Sequence, residues 1–354
     1  MTYHVLLHAD TAEALRDYRQ HLAQQGLEHA GAHLRAALQG KKPADMDDEA
    51  FLQTLVNTKH PQIFAESSVF GDGRDWNATE LTLLGDVGVA AAVQVFDDGR
   101  HAQPRVHPKP LAGTLLFIPG ALLCNGRGSL PADWVAVTDA SGRIDPIGYQ
   151  ALYERRLLPL LLHASAEALA TGQNGVVTIP GLGCGQFAGP FAGTLGEQFK
   201  AALIALLERH AARLSGLRAI YFDPFNECRN ERHDFGGLSL RVRPLLQGND
   251  RPQLCAPADY AEAGEDFSTC RLYSVVAWDH VSWPGNDFWG GARATDDGVK
   301  AAATDVMRVL TGVKGRYEQT HSIYAPPPPW QTWGALATAQ GTELSVAGRL
   351  RILR

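Results

Sequence analysis

Four aspartates, Asp279, Asp287, Asp296 and Asp297, stand close together in one stretch of this 354-residue chain. They share it with Trp283, Phe288 and Trp289 and with the pair Gly290-Gly291. Carboxylates gathered at a loop serve either a metal or a sugar cation. Cleavage of a glycosidic bond passes through an oxocarbenium-like state that one carboxylate stabilises, while another polarises water or protonates the leaving group. Helix chemistry accounts for part of the cluster. Asp296 and Asp297 follow Thr295 at a helix start, where acids offset the dipole by about 0.3–1 kcal/mol. That account does not reach Asp279 and Asp287, placed near the same turn. His280, beside Asp279, reads as a structural or rim residue.

A second stretch, 181–189, carries glycines at 181, 183, 185 and 189. Glycines let a backbone turn tightly and present successive N–H groups, and a following helix N-terminus adds to their pull on an anion. Gly181, Leu182, Gly183, Cys184, Gly185, Gln186 and Phe187 are therefore candidate diphosphate-binding residues. No Lys-Ser/Thr pair follows, so this is not a Walker loop, and the fit to GxGxxG is broken; the plainer alternative is a β–α connection. Beyond the next strand, Asp223-Pro224-Phe225-Asn226 ends in an aromatic and an amide. These could stack on and hydrogen-bond a base at the carboxyl edge of a parallel sheet, although the same tetrapeptide suits an ordinary turn.

The elements that must position these residues alternate. Residues 86–96, 113–118, 134–137, 175–179, 218–222 and 273–278 read as strands, several of them near-continuous apolar runs of the kind buried on both faces. Asp145-Pro146 starts a helix expected to reach about Ala170, with a bend at Pro159 and a stop at Gly172. Leu195, Phe199, Leu203, Leu206 and Leu207 mark the next helix, and Val299, Ala302, Ala303, Val306, Val309 and Leu310 another. This alternation builds an α/β fold with a mostly parallel, helix-covered sheet. Residues 1–65 read as mostly helical, with Thr11 as an N-cap, and 227–270 carry no clear pattern. Pro326-Pro327-Pro328-Pro329 must be extended, so the expected division is a helical extension over 1–70, a core over 71–325 and a tail over 326–354 that is either a short added strand or partly loose.

Composition narrows the function classes. A formal charge of −6 offers no bulk attraction to nucleic acid or acidic membranes. The longest greasy run, 157–162, is broken by Pro159 and too short to span a bilayer. Five scattered cysteines, none at CxxC spacing, argue against a zinc site or a disulfide framework. With no signal-peptide pattern at the N-terminus, a cytoplasmic location, or delivery into a host cytosol without a cleaved signal, is expected.

The segment GVVTIPGLGCGQFAGPF, a helix, and then AIYFDPFN resembles the second ligand loop and adenine-side strand of macrodomains. VVAWDHVSWPGNDFWGGARATDDG looks like a divergent form of their first ligand loop, which here comes last in the chain, as in a circular rearrangement or an insertion-rich variant. Within that fold the chain is most similar to arginine-specific macrodomain ADP-ribosylhydrolases. Their three functional aspartates match Asp279, Asp287 and Asp297, eight and ten residues apart. Asp296-Asp297 after Gly290-Gly291 is also similar to the paired glutamates of poly(ADP-ribose) glycohydrolases, with Asp for Glu and two glycines for three. The likeness covers about 110–315. It implies a three-layer α/β/α macrodomain with a mixed, mostly parallel sheet, acting on an ADP-ribosylated protein without a metal or other cofactor, as a monomer with no nucleic-acid or membrane partner.

By that resemblance Asp287 and Asp297 flank the distal ribose, one positioning water and the other stabilising the cation or protonating the guanidine, while Asp279 fixes the ligand or a partner carboxylate. The 181–187 loop takes the diphosphate, and Phe225 with Asn226 lines the adenine side. Phe288, Trp289, Gly290 and Gly291 complete the ribose loop, and Asp296 is left as a helix-end bystander. Two alternatives stay open: a non-enzymatic ADP-ribose reader, and a divalent-metal-dependent nucleotide or phosphoester hydrolase.

Overall fold

Residues 115–118, 176–177 and 275–276 carry apolar side chains on consecutive positions, which only a strand covered on both faces can bury. In the computed structural model, which describes residues 3–63, 68–125 and 130–354, these runs lie side by side in one mixed sheet. Its strands are β1 (Tyr3–His8), β2 (Gly88–Asp97), β3 (Val106–Pro119), β4 (Gly175–Pro180), β5 (Leu217–Asp223), β6 (Glu231–Phe235), β7 (Leu238–Val242) and β8 (Arg271–Trp278), with β11 (Leu350–Leu353) at one edge. The order is β11-β1-β2-β3-β8-β4-β5-β7-β6. Strands β3, β8, β4, β5 and β7 run parallel, and β2 and β6 run against them. A short hairpin, β9 (Arg316–Glu318) with β10 (Ile323–Ala325), stands apart.

Helices cover both faces. One apolar cluster joins the sheet to α6 (Pro146–Ala170) and α7 (Leu195–His210). The other lies beneath α1 (Ala9–Gln25), α2 (Ala32–Ala37), α3 (Asp48–Val56), α4 (Ala78–Gly85), α8 (Asp296–Ala302), α9 (Val306–Thr311) and α10 (Trp333–Gln340). The α6 start is as expected: Asp145 accepts from Ile147 N and Gly148 N, and the helix runs on through Pro159 to Ala170. This is the three-layer α/β arrangement of a macrodomain.

Three local readings change and one is extended. The stretch 134–137 is a one-turn helix, α5 (Trp134–Val137), rather than a strand; only Val137 of the four is buried, a pattern no two-sided strand would leave. Thr11 is no N-cap. His8 caps α1 by accepting from Asp10 N, and Thr11 instead donates to the buried Asp86 at 2.9 Å. The N-terminal segment is mostly helical, as read, and adds one strand, β1, to the sheet beside β2. The chain also packs on beyond the proline run: Trp333, Leu336 and Ala337 of α10 are buried, and β11 pairs parallel with β1. Among the described residues no helix is long and apolar enough to cross a membrane.

Candidate active site

The parallel strands deliver their carboxyl ends to one edge. Pro119 of β3 pairs with Trp278 of β8, and Pro180 of β4 with Asp223 of β5. Loops leaving such an edge enclose the crevice where open α/β sheets hold ligands. The crevice here has a volume of about 270 Å³. Gly120, Gly181, Gly183, Gly185, Gln186 and Phe187 line one side, and Trp278, Asp279, Asn286, Thr295, Asp296 and Asp297 line the other.

The glycine side is built for close backbone approach. A Cβ on Gly120 would lie 2.1 Å from Gly183 N, and Gly183 has φ +73°, so neither position tolerates a side chain. Tyr153, buried on α6, clamps the two loops: its hydroxyl donates to Leu182 O at 2.7 Å and accepts from Ala121 N at 3.1 Å. Gly185 and Gln186 are exposed, whereas the Leu182 side chain is buried in the core below. Cys184 is half-buried, and burial pushes its thiol well above the usual range.

The acidic side is held by side chains. Asp279 follows the last residue of β8 and accepts from Ser282 Oγ at 3.2 Å and from the Asn286 side-chain amide. Asp297 accepts from Gly285 N at 2.7 Å and Asn286 N at 2.9 Å. Burial, then the neighbouring charges of Asp279 and Asp287, push its carboxyl well above the usual range against those two donors. Asp296 accepts from Ala277 N at 2.9 Å and pairs with Lys300 Nζ at 3.0 Å. Lys300 is itself buried, with Val275 O at 2.6 Å and Gln253 Oε1 at 2.9 Å; burial lowers its ammonium, opposed by Asp296.

Not every expected residue reaches the cleft. Asp287 is fully buried behind it: Oδ1 accepts from Thr295 Oγ1 at 2.7 Å, and Oδ2 from Ala294 N at 2.9 Å and Thr295 N at 3.2 Å. Phe288 and Trp289 are buried in the core, with Trp289 Nε1 donating to Pro284 O at 2.9 Å. Gly290 lies against Gln62, and Gly291 turns with φ +90° near Thr332. Phe225 is 55% exposed with φ +61°, and Asn226 is exposed too; both follow β5, outside the cleft lining. His280 is fully buried beside Asp133, at 3.4 Å.

Conversely, Asp296 lines the cleft rather than standing by, and Gly120, Trp278, Asn286 and Thr295 were not anticipated. For Gly120 a signal existed: Pro119-Gly120 ends a buried strand as Pro180-Gly181 does. For Asn286 none did. Among the described residues, no three His, Cys, Asp or Glu side chains are arranged to hold a metal ion.

A sheet edge with a glycine loop facing a carboxylate loop defines a macrodomain-type ligand cleft. A family model described as "Macrodomain effector MavL" matches residues 3–330, and the chain belongs to that family. No curated protein matches it. The match begins at β1 and ends beyond the proline run, so it takes in segments the sequence suggested were additions. Family membership supports an ADP-ribose-binding macrodomain.

Proposed function

We propose that the chain is an ADP-ribosylhydrolase that removes ADP-ribose from modified arginine side chains of a protein. The observation carrying this reading is that a glycine loop with open backbone and the carboxylates of Asp279, Asp296 and Asp297 stand on opposite walls of one cleft. The loop at 181–187 takes the diphosphate, and the distal ribose lies against the acidic wall.

Chemically, water attacks the anomeric carbon as its bond to the guanidine nitrogen breaks. Asp279, at the cleft, takes the proton from that water. Asp297, its proton retained by burial and by two neighbouring carboxylates, gives one to the departing guanidine, so the guanidinium leaves and a hydroxyl replaces it. Asp287, enclosed by donors from residues 294 and 295, is a positioning residue. It fixes the turn that leads into α8 and so sets where Asp297 sits. Asp296, paired with Lys300, orients the sugar.

The test is release of ADP-ribose from an arginine-modified protein. Wild-type protein should release it, and Asp297→Ala should not; wild-type rates from Asp297→Ala would overturn the catalytic assignment. One observation favours the reader instead: both oxygens of Asp287 and of Asp297 already accept bonds from the loop. ADP-ribose binding in calorimetry with no turnover on any linkage would select it.

A further inference from the structure

The N-terminal region carries nothing catalytic in its sequence, yet it grips the acidic loop at three places. Past α3, Lys59 is buried, donates its ammonium to His280 O and stacks over the Trp278 ring at 4.1 Å. Those two residues flank Asp279, and Trp278 itself lines the cleft. His60 then runs parallel to Ser282: His60 N donates to Val281 O at 2.8 Å, and His60 O accepts from Trp283 N at 2.7 Å. Trp283 Nε1 returns a bond to Lys59 O at 3.2 Å. Finally Ile63 N donates to Asn286 Oδ1 at 3.0 Å. That bond fixes which way the amide faces, so Nδ2 is presented to Asp279 while the Asn286 backbone N–H reaches Asp297.

A buried ammonium is costly unless it is fully engaged. Part of the Lys59 engagement goes to a carbonyl and an indole of the strand end that carries Asp279. A methionine-like side chain would fill the same space with no such cost. We propose that Lys59 is a positioning residue of the active site, and that segment 59–63 is a strap holding Asp279 and Asn286 in the geometry the carboxylates need. The catalytic part of the inference rests on the hydrolase reading above; the structural part does not. The N-terminal region is then a component of the catalytic unit, not an appendage to it.

The experiment is Lys59→Met in the full chain, read three ways. Amide hydrogen exchange of residues 279–297 should quicken without bound ligand. Turnover on arginine-linked ADP-ribose should fall by at least about tenfold, since a misplacement near 1 Å costs up to about a hundredfold. The Kd for free ADP-ribose, held mainly by the glycine loop, should change by less than about threefold if binding and positioning are separate. A milder variant, Trp283→Phe, removes the bond to Lys59 O and part of the ring packed on Trp289; it should move exchange and turnover the same way by a smaller factor, which covers the case in which Lys59→Met does not fold. Exchange unchanged in either folded variant overturns the strap. Quickened exchange with undiminished turnover overturns its part in catalysis. If wild-type protein shows no turnover at all, the hydrolase reading fails first; the strap then stands or falls on exchange alone.

Discussion

The two walls of the cleft are made in opposite ways. The glycine wall, 181–187, offers main chain: Gly185 and Gln186 are exposed, and the loop is tied down chiefly from below by the Tyr153 hydroxyl. The acidic wall, 279–297, offers side chains and is over-determined. Asp287 holds three bonds, Asp297 two, Thr295 caps α8 through Gly298 N, and a Cβ on Gly298 would lie 1.9 Å from Asp287 Oδ1. A loop that binds a diphosphate through N–H groups can adapt to its ligand. A loop that must keep several carboxylates close together has to be held against their mutual repulsion, and that takes preorganised donors. The first wall should therefore govern affinity and the second turnover.

The strongest way to break that division is Asp297→Asn. With the proton donor gone, turnover on arginine-linked ADP-ribose should fall by about a thousandfold, within the usual reach of general acid catalysis. The Kd for ADP-ribose in calorimetry should stay within about threefold. A large loss of affinity with turnover preserved would mean that the acidic wall binds and does not react.

On the opposite wall, Gly120→Ala forces a methyl against Gly183 N and Leu182 C, backbone atoms that can move only by shifting the loop. ADP-ribose should bind about tenfold more weakly, the scale of one or two lost hydrogen bonds. Turnover at saturating substrate should hold within about threefold. Loss of saturated turnover equal to that from Asp297→Asn would erase the distinction between the walls.

Those two sites also show what the sequence could and could not disclose. Glycine spacing is a property of the chain itself, so the loop at 181–187 and its place after a buried strand were readable. The alternation of apolar runs made the mostly parallel sheet readable in the same way. Burial of an individual carboxylate is not a chain property. The sequence made Asp287 the ribose-flanking acid and Asp296 the bystander, but donors from residues 294 and 295 enclose the first, and the second faces the cleft against Lys300. Phe288 and Trp289 likewise read as part of the ribose loop, but their rings are buried in the core. The strap at 59–63 pairs residues more than two hundred positions apart, which local patterning cannot register.

Asp287→Asn sharpens the positioning role. An amide can keep its oxygen for Ala294 N and Thr295 N but then turns its two hydrogens toward Thr295 Oγ1, so the buried Thr295 hydroxyl proton loses its acceptor. Denaturant unfolding should show a loss of about 1–3 kcal/mol. Asp287 is also one of the charges that raise the Asp297 carboxyl. Its removal lets Asp297 lose its proton at lower pH, so the falling alkaline limb of kcat should move to lower pH. A limb that stays in place would mean that Asp297 is not the group behind it.

The smallest effect is expected at Phe225, beyond both walls. Its ring is 55% exposed on a backbone with φ +61°, and Pro224 Cα lies 3.7 Å from where a Cβ on Gly181 would stand. A solvent-facing aromatic held in a left-handed turn next to the diphosphate loop is poorly explained by core packing. On the proposed function, stacking on the adenine would explain it. Phe225→Ala should weaken ADP-ribose by about 0.5–1.5 kcal/mol, roughly two- to tenfold, and leave ribose 5-phosphate, which has no base, unaffected. Equal weakening of both ligands would place the ring against the phosphate loop instead, and the base would have to lie elsewhere along the β5 edge.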